Sequence, residues 1–468
     1  MTAPDITDLD WTDALGVTGN PKVVGLSPTR GAEENPKHLL GALVKASSSQ
    51  VSGWRCPSLR WMPTAFPIDR IRSQFPALTR NDEGIQAAYL DGPGGTQVPQ
   101  SVIDAMAGVL RAGVSNVGGR FGASDLAEEV MFAGRASMAD LFNCDQAEVV
   151  FGQNMTSLTF AFSRALARTW NEGDAIVLTS LDHDANFTPW VRAAKDAGVE
   201  VRIAEFDPET GVLDPSAIAD LLDEKVCLVA VCLAANSIGT LVDVAAVSAA
   251  AHEVGALVYI DAVHAGPHSL IDVKALDCDF LVASAYKFFG PHTGILFGRF
   301  DQLASLDAYK VRPAPSDPPG KWETGTQSFE SIAGVAAAVD YIASLGEPGA
   351  TRRQSLASAF SRIFDYETAL SQRFLDGFAG LDRVRLYGVP AAGTGRVATF
   401  AIGVDGVRAD AVAAALIGRG LYVWSGNYYA VNVMDRFGVN EGGLVRIGFV
   451  HYNTADEVDR VLEGLSYL

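Results

Sequence analysis

The stretch Ser284-Ala-Tyr-Lys-Phe-Phe-Gly-Pro-His-Thr-Gly294 follows an apolar run, Phe280-Leu-Val-Ala283, that reads as the end of a buried strand. A lysine against such a run is costly as an ammonium, because burial strips its hydration. It becomes sensible if Lys287 works as an amine, since burial lowers a lysine pKa and a neutral amine forms a Schiff base. Ser284, the Tyr286 hydroxyl and Gly290 around it suit a phosphate and a flat ring. Upstream, Tyr259-Ile-Asp-Ala-Val-His264 is a second strand ending in polar groups, and Asp261 precedes Lys287 by 26 positions. That interval holds one crossover and the next strand. Taken singly, each residue also reads as a surface lysine or a capping aspartate. Together, an Asp for a pyridinium nitrogen and a Lys for a Schiff base are how proteins hold pyridoxal 5'-phosphate (PLP).

Working outward, short apolar runs alternate with helical stretches. Strands are expected at Glu148–Phe151, Ala175–Leu178, Val199–Ile203, Val226–Val231, Leu257–Ile260, Phe280–Ala283 and Ile295–Phe297. Helices are expected from Thr156 to about Trp170, Thr188–Ala197 and Val244–Val254. This alternation predicts an α/β fold with a mostly parallel sheet covered on both faces, and ligands at the carboxyl ends of its strands. A Pro-rich, charged texture at Val311–Lys321 is followed by helical Ser331–Ser344 and Ala350–Gly377, then further alternation. The expected division is an extension over 1–61, a segment 62–90 packing with the small domain, a large domain 91–320 and a smaller one 321–468. Residues 1–61 contain only one short helical candidate, His38–Lys45, and read as poorly ordered and dispensable. Met62 is an alternative start, and the spacing of Ile68, Ile71 and Phe75 fits a helix face.

From Tyr89 to the C-terminus the chain resembles the class V aminotransferases, the fold-type-I PLP enzymes that include cysteine desulfurases. The resemblance rests on His183-Asp-Ala-Asn186, Asn236-Ser-Ile-Gly-Thr240, Asp261-Ala-Val-His264, Ser284-Ala-Tyr-Lys287, Gly325-Thr326, and Arg446 with His451-Tyr-Asn-Thr454. It implies roles for these positions. Lys287 carries PLP and serves as base at Cα, Asp261 pairs with the ring nitrogen, His183 stacks on the ring and His264 reaches the phenolic oxygen. The phosphate falls at the turn Gly152-Gln-Asn-Met-Thr156, with Asn154, Met155 and Thr156, and with Ser284 and Tyr286 as further donors. Arg446 binds the substrate carboxylate beside Asn236. Gly325-Thr326 reaches a phosphate across a homodimer interface. Asp182 and Asp184 are expected to brace or cap.

Four positions depart from the desulfurase pattern: Tyr286 stands where His is common, His264 where Gln is common, and Tyr428-Tyr429 where the mobile loop carries His and the nucleophilic Cys. A phenol cannot carry a persulfide, and no other cysteine lies near in sequence. The resemblance therefore favours an aminotransferase or a C–S/β-elimination lyase, with Tyr428 and Tyr429 lining the substrate pocket. An isopenicillin-epimerase-like racemisation is the alternative, as is a PLP-binding protein without turnover.

Composition agrees with a large folded enzyme. The chain has 468 residues, 48% of them hydrophobic, and a net charge of -19, which disfavours nucleic acid and anionic membranes as partners. Cys56, Cys144, Cys227, Cys232 and Cys278 form no C-x-x-C pair and no metal spacing. Sparse cysteines fit a reducing cytoplasm. No apolar run approaches the ~20 residues of a membrane span, and no signal-peptide pattern opens the chain.

Overall fold

The computed structural model describes residues 66–468 except Glu83. The expectations for 1–61, for the His38–Lys45 helix, for Met62 and for Cys56 lie outside the described residues.

Seven strands form the main sheet, in the spatial order Val149–Gly152, Gly294–Gly298, Phe280–Ser284, Leu257–Asp261, Val226–Cys232, Ala175–Thr179, Glu200–Ala204. Gly294–Gly298 runs antiparallel to both neighbours, and the other six strands share one direction. Alternate residues enter two separate cores, as the period of two in a strand requires. Val258, Ile260, Leu281 and Ala283 face one core, while Tyr259, Phe280 and Val282 face the other. Burial on both faces explains why these strands read as unbroken apolar runs. The expected strands are all present, with ends shifted by a residue or two. The helix expected from Thr156 begins at Met155 and ends at Leu166, passing into a 3₁₀ turn at Ala167–Thr169.

A second, antiparallel sheet has the order Val384–Tyr387, Thr399–Val404, Leu444–Gly448, Trp424–Gly426 over its own core. Ala88–Tyr89 pairs in parallel with Leu421–Tyr422, Phe66 stacks on Tyr366 at 4.2 Å, and Arg72 pairs with Glu457 at 3.0 Å. The helix Phe329–Ala343, although it follows the Pro-rich stretch, packs on Gln100–Ala112 and Gly122–Phe142. Gly134 makes that approach possible, since a Cβ there would lie 2.3 Å from an Ile332 methyl. Among the described residues no helix is long and apolar enough to cross a membrane.

Candidate active site

The parallel strands deliver their last residues to one cavity of about 920 Å³. Asp261 ends Leu257–Asp261, and Ser284 ends Phe280–Ser284, after which a 3₁₀ turn, Ala285–Lys287, projects Lys287 into the cavity. The turn is braced from the Gly/Pro-rich segment Asp91–Thr96. Thr96 donates to Tyr286 O from its backbone (3.0 Å) and its hydroxyl (3.1 Å), and that hydroxyl accepts from Phe289 N at 2.8 Å. Lys287 Nζ donates to Pro93 O.

Electrostatics prepare this amine. Burial, then the nearby Arg446 cation, lowers Lys287 to about 7, partly opposed by Asp91 and Asp261. Asp261 is buried; its Oδ1 accepts from Val263 N at 2.8 Å, and desolvation raises its carboxyl to about 6 against the pull of Lys287. His183 Nδ1 accepts from Ala185 N at 3.0 Å, and burial drops its pKa to about 4, leaving the imidazole neutral. Behind it, Asp182 is fully enclosed, bonded to Thr179 and, at 2.7 Å, to Asn186, whose Oδ1 accepts from Trp190 Nε1 at 3.0 Å. Desolvation raises Asp182 to about 8, and the two bonds it accepts brace the loop. Asp184 accepts from Thr188 at 2.8 Å. His264 Nε2 lies 3.0 Å from the Thr399 hydroxyl, and burial holds its pKa well below the ordinary histidine value.

The opposite wall comes from the second sheet. Arg446, 5% exposed, donates from Nη1 to Asn236 O at 3.1 Å and lies 3.7 Å from Asp91 Oδ1. Its Nε has no partner. Its guanidinium carbon sits 4.4 Å from the Tyr428 ring centroid. Asn236 therefore meets Arg446 through its backbone oxygen, while its side-chain Nδ2 donates to Tyr428 O at 3.0 Å. Tyr428 and Tyr429 both have left-handed backbones, with φ of 54° and 57°. Asp184 N holds Tyr429 O at 2.7 Å, and the Tyr429 ring stacks on His183 at 5.6 Å.

Most of the sequence-derived residues share this cavity: Lys287, Asp261, His183, His264, Tyr286, Met155, Thr156, Asn236, Arg446, Tyr428 and Tyr429. Three stand off its wall. Ser284 is one layer back, its Oγ accepting from Met155 N at 3.2 Å. Asn154 spends its side chain on capping the helix Met155–Leu166, accepting from Ser157 N at 2.9 Å. Thr326 is exposed and accepts weakly from Asn116 at 3.4 Å. The Tyr286 ring stacks on His292 at 4.8 Å.

Sequence reading missed four contributors. Asp91 and Pro93 come from a turn whose Gly and Pro signal a loop but not its position. Trp424 enters by register, directly opposite Arg446. Cys232 corrects the expectation that no cysteine lies near: it ends Val226–Cys232 and lines the cavity. It is 3% exposed, and burial, then Asp182 and Asp261, pushes its thiol well above the ordinary value.

The donor set fits PLP. It offers an amine of lowered basicity, a buried carboxylate for a ring nitrogen, a neutral imidazole plane, and a helix N-terminus for a phosphate. Gly294 fits the same purpose: a Cβ there would lie 2.3 Å from the Asn154 carbonyl carbon, so only glycine lets that strand start against the turn.

Comparison with known proteins agrees. A model of the family described as "Aminotransferase class-V" matches residues 88–461. A cysteine desulfurase of Serratia proteamaculans is 32% identical over 417 residues, covering 86% of this chain and 98% of the relative. One from Pectobacterium atrosepticum is 33% identical with the same coverage. In structure, an apo cysteine desulfurase from Thermococcus onnurineus NA1 superposes with TM-score 0.78 and 25% identity, over 87% of this chain and 99% of that one. The Escherichia coli cysteine desulfurase, at 22% identity and TM-score 0.75, covers 86% of this chain and 98% of its own and shares the fold. The chain belongs to the class V aminotransferase family. It is a fold-type-I, PLP-dependent enzyme, as the sequence resemblance implied.

Proposed function

We propose that the protein acts at the α-carbon of an amino acid, by transamination or β-elimination, without a persulfide on a loop cysteine. One observation carries this reading. The Lys287 amine, brought down to about 7, and the buried Arg446 guanidinium, with Nε unpartnered, face one cavity. A molecule with a carboxylate beside a reactive carbon satisfies both.

The residues divide the work. Lys287 would hold PLP through Nζ, and Asp261 would keep the ring-nitrogen proton. His183 would offer a neutral plane to the ring, and His264 would donate toward the phenolic oxygen. Thr156 and Tyr286 would face the phosphate at the helix N-terminus, with Ser284 and Asn154 bracing that helix start from behind. Bound PLP supplies the sink that stabilises charge left at Cα. Arg446 fixes the substrate carboxylate by a bidentate pair, with Asn236 beside it. Once the substrate amine has displaced it from the cofactor, Lys287 would be a free amine, and one of lowered basicity is suited to take the Cα proton. Tyr428, ring against Arg446, excludes water from that pair. In this reading residues 91–320 hold the cofactor and 321–468 close over it, and a homodimer brings Thr326 of one subunit to the phosphate of the other.

A second reading, sulfur release from cysteine through a persulfide, is favoured by the relatives' names and by Cys232 at the cavity. Against it stand the buried, protonated thiol of Cys232 and the tyrosines at 428 and 429. The test supplies the common amino acids with and without a keto acid, measures pyruvate, ammonia, sulfide and keto-acid products, and labels protein persulfides. We expect product from at least one amino acid and no labelled cysteine. Persulfide on Cys232 or Cys278 at the rate of sulfide release gives the second reading instead. Free pyruvate and sulfide without a protein persulfide is β-elimination and fits the first.

A further inference from the structure

We propose that the cavity mouth selects a neutral amino acid carrying an aromatic ring in its side chain, held between Trp424 and Tyr429. This deepens the amino-acid reading above and rests on it. Trp424 lies directly opposite Arg446 in the antiparallel pair of Trp424–Gly426 with Leu444–Gly448. Opposed residues project from the same face, their Cβ atoms about 5 Å apart. A carboxylate on Arg446 therefore brings the rest of its molecule within reach of the indole. Tyr429 lines the same cavity, stacked on His183.

Both rings are turned to solvent at the cavity rather than into a core. Trp424 is 59% and Tyr429 71% exposed, and both line the cavity, as does Phe160. Exposed aromatic residues occur elsewhere on this surface, Phe132 and Tyr309 among them; what sets these two apart is that they line the same cavity as Arg446. The backbone gives a second, independent sign. Left-handed φ at two successive non-glycine residues is rare and costly, and persists where surrounding contacts enforce it. Here Asn236 Nδ2 holds Tyr428 O, and Asp184 N holds Tyr429 O. Glycine would relieve the strain, yet the positions carry rings. The Tyr428 ring has its use over Arg446; the Tyr429 ring stacks among the described residues only on His183.

Charge disfavours a second carboxylate. The lining cations are Lys287 and Arg446, both committed, and His183 and His264 are kept neutral by burial. A side-chain carboxylate finds no partner there and loses its hydration. Of the two acidic residues that line the cavity, Asp261 is buried and Asp184 accepts from Thr188 through Oδ1, so a cationic side chain is the class that the 6-aminohexanoate arm of the test decides.

The test measures binding to the holoenzyme of four carboxylates that lack the α-amine: 3-phenylpropionate, propionate, succinate and 6-aminohexanoate. Calorimetry should find 3-phenylpropionate bound about tenfold or more tighter than the other three. Trp424→Ala and Tyr429→Ala should each shrink that preference severalfold, and Trp424→Phe should keep it. Tighter binding of succinate or 6-aminohexanoate, or a phenyl preference that survives both alanine variants, overturns the proposal. None of these acids is turned over, so the outcome is separable from the amino-acid screen. If 3-phenylpropionate binds through Trp424 while no amino acid reacts, the reaction reading fails and the aromatic slot stands.

Discussion

The two walls of the cavity are built by opposite means. The wall of Asp261, Ser284 and Lys287 hangs on the ends of adjacent parallel strands and the short turn after one of them, which Thr96 braces. The wall of Trp424, Tyr428, Tyr429 and Arg446 depends on a two-residue left-handed turn pinned by hydrogen bonds from the opposite wall. In the proposed reading the first wall carries the cofactor, and the second, where Tyr428 and Tyr429 stand, sets substrate choice. Cofactor chemistry and substrate choice would then sit on different sheets and could change separately.

Substitutions can break this contrast. On the first wall, Lys287→Ala should lower kcat by about 10²–10⁴-fold, measured with whichever amino acid the screen identifies. On the opposite wall, Arg446→Ala should lower kcat/KM by roughly 10–150-fold, mainly through KM. Arg446→Lys should rescue little, because an ammonium cannot form the bidentate pair. A kcat effect at Arg446 as large as that at Lys287 would erase the division. If sites are shared between subunits, mixing inactive Lys287→Ala with an inactive Thr326 variant should return part of the activity through mixed dimers. A fully active monomer by light scattering removes that proposal.

The pH dependence sharpens the comparison. Burial lowers the Lys287 pKa, so its neutral form becomes the major one above about pH 7 instead of above the ordinary lysine range. Amine labelling of the cofactor-free protein at Lys287 should therefore rise with pH through about 7 and level off soon after. Labelling that climbs only above pH 9 contradicts the burial argument. The smallest effect belongs to the strained turn. Tyr429→Gly removes a left-handed backbone penalty and little packing, so thermal stability should hold or rise by about 1 kcal/mol, while substrate binding weakens.

The same contrast governs what the sequence made legible. Phe280–Ser284 and Leu257–Asp261 are uniformly apolar until their last polar residue, so strand, direction and site were readable from the text, and the fold class with them. Arg446 was readable because a guanidinium in an apolar strand demands a partner. Tyr428 and Tyr429 were noticed as substitutions, but their φ values arise from Asn236 and Asp184, remote in sequence. Trp424 was missed because its position depends on strand register, and Cys232 because its apolar run looked like core. Asp91 and Pro93 were missed because a Gly/Pro-rich turn declares a bend without saying what it meets. Ser284 and Asn154 were drawn into the site but stand one layer behind it, bracing the helix start.

The most direct test of the account is the identity of the lysine that bears the cofactor. Reduction of the holoenzyme with borohydride, digestion and mass spectrometry should place a pyridoxyl group on Lys287 in the peptide containing Ser284–Gly294, and Lys287→Ala should lose it. A pyridoxyl group on any other lysine of the native protein would contradict the assignment on which both walls depend.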